Sequence, residues 1–219
     1  MTLHHDVRGD GPAVLLVHAG VADSRMWPGV AGQLAATHRV VTCDLRGFGK
    51  SPLPPERFSH AADLVALLDE LGIERAAVVG ASFGGYVALE LALRAPGRVM
   101  ALALLDPFLD EFDPSGEFAA FAEAEEAALD AGDVEEDELD PPVSARLAEI
   151  RVPALVVVGA DDVEDFHRIA RRLADELPGA RPLVTIPGAA HLPALERPAE
   201  VAGLLLEFLA GVGRAPTPR

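Results

Sequence analysis

The stretch Gly80-Ala81-Ser82-Phe83-Gly84 has the form G-x-S-x-G and lies where the hydrophobic pattern of the chain changes. It follows the apolar run Ala76-Ala77-Val78-Val79 and precedes a helical pattern from Tyr86 to Leu93. A serine in this context sits on a sharp strand-to-helix turn, which strains its backbone and needs small neighbours because the chain passes close to itself. We therefore expect the Ser82 hydroxyl at the carboxyl edge of a sheet, beside a helix N-terminus that favours negative charge.

Apolar runs of strand length alternate with helical patterns along most of the chain. The runs predict strands at Val14–Val17, Val40–Cys43, Ala76–Val79, Val99–Leu105, Ala154–Val158 and Leu183–Ile186, and further helices at Trp27–Ala36, Ala62–Leu71, Phe166–Leu177 and Ala199–Leu209. This alternation predicts an α/β fold, a mostly parallel, doubly wound sheet with helices on both faces. Ligands of such sheets bind beyond the carboxyl ends of the strands. Polar residues follow those predicted ends at His18, Asp44, Ser82, Asp106 and Asp162.

One segment, residues 107–150, interrupts the alternation. It begins after one predicted strand, ends before another, and carries four of the nine phenylalanines of the chain. Fifteen acidic residues lie between Asp106 and Asp140. We predict a core formed by residues 1–106 and 151–219, with 107–150 inserted over the site as a short, acidic helical cap or lid.

The length and net charge of the chain limit the kinds of molecule that we expect it to bind. A chain of 219 residues is most simply one domain, and its formal net charge of −17 argues against nucleic acid or an anionic membrane as partner. No apolar run approaches the length of a membrane span, and the first residues lack the basic and apolar regions of a signal peptide. Cys43 is the single cysteine, which suits a reducing compartment, and we expect it to be an inert core thiol. These features predict a cytoplasmic monomer or homodimer that acts on a small molecule.

A histidine is needed because a serine hydroxyl is a poor nucleophile until a base takes its proton. On this kind of fold the chain order is serine, then acid, then histidine. His191 fits best, because it follows the last predicted strand in the small-residue loop Gly188-Ala189-Ala190-His191. His167 lies on a predicted helix and His60 near a helix start, so we expect surface or capping roles for both.

Three carboxylates are candidates for the acid that orients the histidine. Asp162 is preferred, because it lies a little beyond the predicted strand Ala154–Val158 and can turn towards His191. Asp161 is an alternative, and one of this pair could instead cap the helix that follows. Asp106, at the end of the preceding strand, is the third candidate.

Acyl transfer also needs donors aimed at the developing oxyanion. One is expected to be the backbone N–H of Phe83, the residue after the nucleophile. The other is expected from Gly20, where the absence of a side chain lets the backbone approach a substrate. Trp27, Phe108 and Phe112 are candidates for the wall of a substrate pocket, and Trp27 is equally a candidate for the core.

Five motifs together resemble the alpha/beta-hydrolase superfamily, in its branch of small capped esterases, enol-lactonases, carbon–carbon hydrolases and non-haem haloperoxidase-like proteins. They are Leu16-Val17-His18-Ala19-Gly20, Asp44-Leu45-Arg46-Gly47-Phe48-Gly49-Lys50-Ser51, Gly80-Ala81-Ser82-Phe83-Gly84-Gly85, Val156-Val157-Val158-Gly159-Ala160-Asp161-Asp162 and Gly188-Ala189-Ala190-His191. The resemblance implies a nucleophile at Ser82, an acid at Asp162, a base at His191 and oxyanion donors at Gly20 and Phe83. It implies no metal or organic cofactor.

The activity that the resemblance implies is a serine hydrolase that cleaves a small carboxylic ester or lactone through an acyl-enzyme. Carbon–carbon hydrolysis, perhydrolysis or lyase chemistry with the same triad is an alternative, as is a non-catalytic binding member of the fold. Dehalogenases and epoxide hydrolases of this superfamily place aspartate at the nucleophile position, so Ser82 argues against both. The chain departs from the family at Ala19, where a glycine is usual, and in the shortness of the segment 107–150.

Overall fold

The computed structural model describes residues 3–53, 57–110, 115, 136–137 and 139–212. Within them lie seven strands: β1 His5–Arg8, β2 Ala13–Val17, β3 Arg39–Cys43, β4 Ala76–Ala81, β5 Val99–Leu105, β6 Ala154–Gly159 and β7 Val184–Ile186. They form one sheet in the order β1-β3-β2-β4-β5-β6-β7. β1 pairs antiparallel with β3, and the other pairs are parallel. The predicted α/β fold class is confirmed.

Four α-helices of the described residues connect parallel strands, and two more follow β7. They are α1 Pro28–Leu34, α2 His60–Glu70, α3 Phe83–Arg94, α4 Glu164–Glu176, α5 Pro193–Glu196 and α6 Pro198–Val212. The Ser59 hydroxyl caps α2 by accepting from the Ala62 N–H at 3.2 Å, and Gly72, with φ at 65°, follows the end of that helix. No helix in this part of the chain is both long and apolar enough to cross a membrane.

The strands are buried on both faces, which is why each reads as a continuous apolar run. Successive strand side chains point to opposite faces. In β2, Leu15 and Val17 belong to one core cluster, with α2, α3 and α4, whereas Val14 and Leu16 belong to a second cluster, with α1 and α6. The sheet is therefore the middle layer between two sets of helices.

The register of the central strands brings their carboxyl ends to one edge. Ala81 at the end of β4 lies beside Leu105 at the end of β5, and Leu105 lies beside Val157 near the end of β6. The residues that follow each strand, among them Ser82 and Asp106, are consequently placed together.

The described ends of the segment 107–150 pack against the core. Leu109 and Val143 are fully buried in the cluster that contains α2, α3 and α4. The Asp110 carboxylate joins the two ends by accepting from the N–H groups of Val143 at 2.9 Å and Ser144 at 2.8 Å. The division into a core and a cap stays a prediction, because residues 116–135 lie outside the described part.

Candidate active site

Ser82 lies on a strained turn between β4 and α3. Its φ and ψ are 49° and −118°, and its N–H donates to the Leu105 carbonyl oxygen at 2.9 Å. A Cβ atom on Gly80 would collide with the backbone of Gly84, and one on Gly84 would collide with the carbonyl oxygen of His18. These close approaches explain why glycine flanks the serine at both positions.

One chain of hydrogen bonds connects Ser82, His191 and Asp162. The Ser82 Oγ lies 2.9 Å from His191 Nε2, and His191 Nδ1 lies 2.8 Å from Asp162 Oδ2. Ser82 is fully buried, and the side chains of His191 and Asp162 are 13% and 5% exposed. The structure thus brings together three residues that are 109 and 29 positions apart along the chain.

The loop that carries His191 is held by two residues that the sequence does not reveal. The Glu196 carboxylate accepts from the N–H groups of Ala190 at 2.8 Å and Leu192 at 2.9 Å, on either side of the histidine. The Phe166 ring of α4 packs on the imidazole with a centroid distance of 4.0 Å. No motif marks Glu196, since its partners are backbone groups that approach it only in the folded loop.

The three acid candidates occupy different environments. Asp162 faces His191, as described above. Asp161 is exposed, and its N–H donates to the Ala189 carbonyl oxygen at 2.9 Å. Asp106 is fully buried behind the other two, where burial and the neighbouring Asp162 raise its pKa to about 9.

The candidate oxyanion donors lie at the N-terminus of α3 and in the turn after β2, at the same edge of the sheet. Phe83 is the first residue of α3, so its N–H has no acceptor within the helix. Gly20 lies in the turn after β2, which is closed by the Ala22 N–H donating to the Ala19 carbonyl oxygen at 3.0 Å.

His18 fixes the start of that turn. Its Nδ1 lies 2.8 Å from the Ala19 carbonyl oxygen, and its Nε2 accepts from the Leu45 N–H at 2.9 Å. Burial lowers the pKa of His18, so the imidazole is neutral and donates through Nδ1. The Asp44 carboxylate accepts from the Ser24 N–H at 2.9 Å and ties the loops after β2 and β3 together.

Comparison with known proteins agrees with this architecture. A model of the alpha/beta hydrolase fold family matches residues 12–132, which is more than half of the chain. This chain belongs to the alpha/beta-hydrolase superfamily. The resemblance recognised from its motifs is confirmed, and the protein is an enzyme of this hydrolase family.

Three proteins similar to this alpha/beta hydrolase align with 94% or more of its chain. It is 30% identical over 269 aligned positions to the protein named "Putative carbamate hydrolase RutD" of Variovorax paradoxus (strain S110), and the match covers 100% of both chains. The structure of Est816, described as an N-acyl homoserine lactone degrading enzyme, matches with a TM-score of 0.79 and 28% identity, over 94% of this chain and 96% of that one. A thermophilic esterase from Thermogutta terrifontis matches with a TM-score of 0.78 and 26% identity, over 96% and 93% of the two chains.

The three candidate pocket residues of this alpha/beta hydrolase do not share one location in the structure. Trp27 is fully buried in the core cluster of α1 and α6, so the prediction that it lines a substrate pocket is not supported. It precedes Pro28, the first residue of α1, and its ring continues the apolar stripe of that helix against the sheet. Phe108 lies next to the serine, because its N–H donates to the Ser82 carbonyl oxygen at 3.1 Å. Phe112 lies outside the described residues.

A row of aromatic rings extends from the serine. The Phe83 ring lies 6.2 Å from that of Tyr86 and 6.4 Å from that of Phe48, and the Tyr86 ring lies 5.9 Å from that of Phe108. Phe83 directly follows Ser82, so this row begins beside the serine. Sequence reasoning missed Phe48 and Tyr86 as members of it.

Asp106, Asp162 and His191 each place an atom within 4.8 Å of the others. Such spacing also occurs at metal sites. In this alpha/beta hydrolase, hydrogen bonds to Ser82 and Asp162 engage both imidazole nitrogens. A metal would have to break one of those bonds to gain a nitrogen ligand, so the arrangement fits a hydrogen-bonded site better.

A separate groove of about 890 Å³ lies beside Ala13 and Ala77, near the amino ends of β2 and β4. Arg75 and Arg151 also line it. Because ligands of parallel sheets react at the carboxyl ends of the strands, this groove does not belong to the site of Ser82.

Proposed function

We propose that this alpha/beta hydrolase cleaves small carboxylic esters or lactones through an acyl-enzyme formed on Ser82. The observation that carries the proposal is the continuous hydrogen-bonded chain from Ser82 through His191 to Asp162. Two similar structures support the substrate class, since one is described as a degrader of N-acyl homoserine lactones and the other as an esterase.

The first half-reaction transfers the acyl group to the enzyme. His191 Nδ1 faces a carboxylate and therefore carries the ring proton, which leaves a lone pair on Nε2. Nε2 takes the Ser82 proton as Oγ bonds to the substrate carbonyl carbon, and the carbonyl electron pair moves to oxygen. Asp162 stabilises the imidazolium. The imidazolium then protonates the leaving oxygen, whose bond to carbon breaks as the carbonyl re-forms.

The second half-reaction releases the acid. Water takes the place of the leaving alcohol and gives its proton to His191 Nε2 as its oxygen bonds to the acyl carbon. The tetrahedral centre collapses, the bond to Ser82 Oγ breaks, and His191 returns the proton to that oxygen. A lactone follows the same course, except that its leaving oxygen stays attached to the acyl chain as a hydroxyl group.

The N–H groups of Phe83 and Gly20 are proposed to hold the oxyanion of both tetrahedral intermediates. Phe83 stands at the N-terminus of α3, where the helix dipole adds partial positive charge. Loss of one such donor elsewhere costs about 10²- to 10³-fold in kcat. The aromatic row of Phe48, Phe83, Tyr86 and Phe108 provides apolar surface for an uncharged acyl group.

The proposal is tested with a fluorophosphonate probe and a panel of p-nitrophenyl esters and lactones of increasing acyl length. The wild-type protein should label and turn over at least one substrate, and Ser82→Ala should do neither. Ser59→Ala is the matched control, because it removes a buried hydroxyl that caps α2 and should keep the label. Labelling without turnover of any ester or lactone would favour carbon–carbon hydrolysis, perhydrolysis or lyase chemistry. A wild-type protein that neither labels nor turns over would refute the enzyme mechanism.

A further inference from the structure

The carboxyl group of Asp106 has no part in the chemistry above, although it lies against Asp162. We propose that Asp106 is a positioning residue. Its carboxyl group is protonated and donates a hydrogen bond to the Asp162 carboxylate, which holds that carboxylate in place while it faces His191. This inference deepens the proposed function and rests on it.

The backbone keeps Asp106 in this position. Its φ is 43°, a left-handed value that aspartate tolerates better than most residues. Its N–H donates to the Val157 carbonyl oxygen at 2.9 Å, and its Oδ1 accepts from the Gly159 N–H at 2.8 Å. Asp106 is fully buried, so the carboxyl group cannot turn towards solvent.

The hydrogen bonds indicate which of the two carboxyl groups holds the proton. Asp162 accepts two bonds, from the Val163 N–H at 2.8 Å and from His191 Nδ1 at 2.8 Å. Asp106 accepts one, and its Oδ2 has no donor among the described residues. Two neighbouring buried carboxylates do not both stay ionised. The proton therefore belongs on Asp106, the deeper group with fewer donors, and its natural acceptor is Asp162.

The electrostatic surroundings agree with this assignment. The pKa of Asp106 is raised to about 9, mainly by burial; the contact with Asp162 and the charge of Glu196 contribute to this rise, and the bond from Gly159 opposes it. The titratable groups facing Asp106 are Asp162, His191 and Glu196. Asp106 consequently remains protonated at neutral pH.

A stability measurement tests the proton without requiring any catalysis. Between pH 5 and 8 the folded protein holds a proton on Asp106 that the unfolded chain, with the usual pKa of 3.8, has released. The stability that this proton contributes is complete below pH 3.8 and declines as pH rises towards about 9. The ratio of the unfolding constant of wild type to that of Asp106→Asn should therefore rise about tenfold per pH unit.

The control for this measurement is Asp165→Asn, which removes a buried carboxylate that has Arg168 as a partner at 3.2 Å. Urea unfolding of the full chain at pH 5, 6, 7 and 8 gives the ratios. A tenfold rise per unit for Asp106→Asn, absent for Asp165→Asn, supports the proposal. A ratio that does not change with pH overturns it, and does so whether or not the protein proves to be an esterase.

The positioning role is tested by a pair of substitutions. Asp106→Ala removes the donor to Asp162 and should lower kcat on the best ester about 10- to 100-fold, with KM unchanged because Asp106 does not touch the substrate. Asp106→Asn keeps a donor of similar shape and should restore most of the lost kcat. If Asp106→Asn instead loses as much kcat as Asp162→Asn, Asp106 is an ionised acid and the proposal fails. The unfolding ratios decide the matter if Asp106→Ala does not fold.

Discussion

Replacing Asp162 with asparagine removes the carboxylate oxygen that lies 2.8 Å from His191 Nδ1. The structure predicts how the new amide would sit. The Val163 N–H needs an acceptor where Asp162 Oδ1 now lies, at 2.8 Å, so the amide oxygen takes that place. The amide nitrogen then replaces Oδ2 and donates towards His191 Nδ1.

An N–H donor at this position reverses the tautomer of His191. Nδ1 must then accept, so the ring proton moves to Nε2 and faces Ser82 Oγ, and the histidine loses the lone pair that takes the serine proton. The same change in a well-studied serine protease lowers kcat about 10⁴-fold, which corresponds to about 5.4 kcal/mol at about 1.36 kcal/mol per decade. We expect a loss of that order here, because Asp162 is buried and water cannot restore the lost acceptor.

The assay is kcat and kcat/KM on the best ester or lactone, with Asp161→Asn as the matched control. Asp161 is its neighbour and an exposed carboxylate, so Asp161→Asn should change kcat by less than about twofold. Unchanged urea midpoints for both variants would show that the loss is catalytic. A loss below tenfold for Asp162→Asn, or a larger loss for Asp161→Asn, would refute the assignment of the acid.

Three further predictions concern the frame of the site. Gly84→Ala should destabilise the protein by more than about 3 kcal/mol, because a Cβ atom at this position would collide with the backbone. Gly203→Ala on α6 should instead stabilise it by about 0.5–1 kcal/mol, because nothing lies within 4 Å of the added Cβ atom. Urea unfolding measures both changes. Burial lowers the pKa of His60 to about 3, so the unfolded chain binds a proton that the folded one does not, and the contribution of His60 to the free energy of unfolding should fall by about 1.4 kcal/mol per unit as pH decreases from 6.5. The urea midpoint of His60→Phe should therefore rise relative to that of wild type between pH 7 and pH 5. Burial raises the pKa of Cys43 to about 12, so the native thiol should not react with Ellman's reagent at pH 8 until urea unfolds the protein.

The fold could be predicted from the sequence because doubly buried strands leave continuous apolar runs. Val99–Leu105 is a strand with the predicted bounds. β1, His5–Arg8, was not predicted, because this edge strand alternates between half-buried and exposed residues and has no apolar run. α3 begins at Phe83 rather than at the predicted Tyr86. The first turn was not predicted because it contains glycines, which have low helix propensity.

The sequence could place Ser82 and His191 by motif and chain order, but it left three acids open. All three follow strand ends, so the pattern alone treats them alike. What separates them is tertiary: the Val163 N–H orients Asp162 and the Gly159 N–H holds Asp106. These bonds depend on the backbone conformation of the loops, which cannot be read from residue types.

Backbone bonds at the carboxyl edge of the sheet hold the proposed site together. Three backbone bonds join the ends of the central strands: Ser82 N–H to Leu105, Asp106 N–H to Val157 and Phe108 N–H to Ser82, at 2.9, 2.9 and 3.1 Å. Ser82 and Asp106, which both have a strained backbone with positive φ, therefore follow neighbouring strands that these bonds join. His191 lies on the loop after β7, and the exposed Glu196 carboxylate holds that loop by accepting from the N–H groups of Ala190 and Leu192. We therefore expect the predicted cap, residues 107–150, to affect which substrates enter rather than the geometry of the reacting groups.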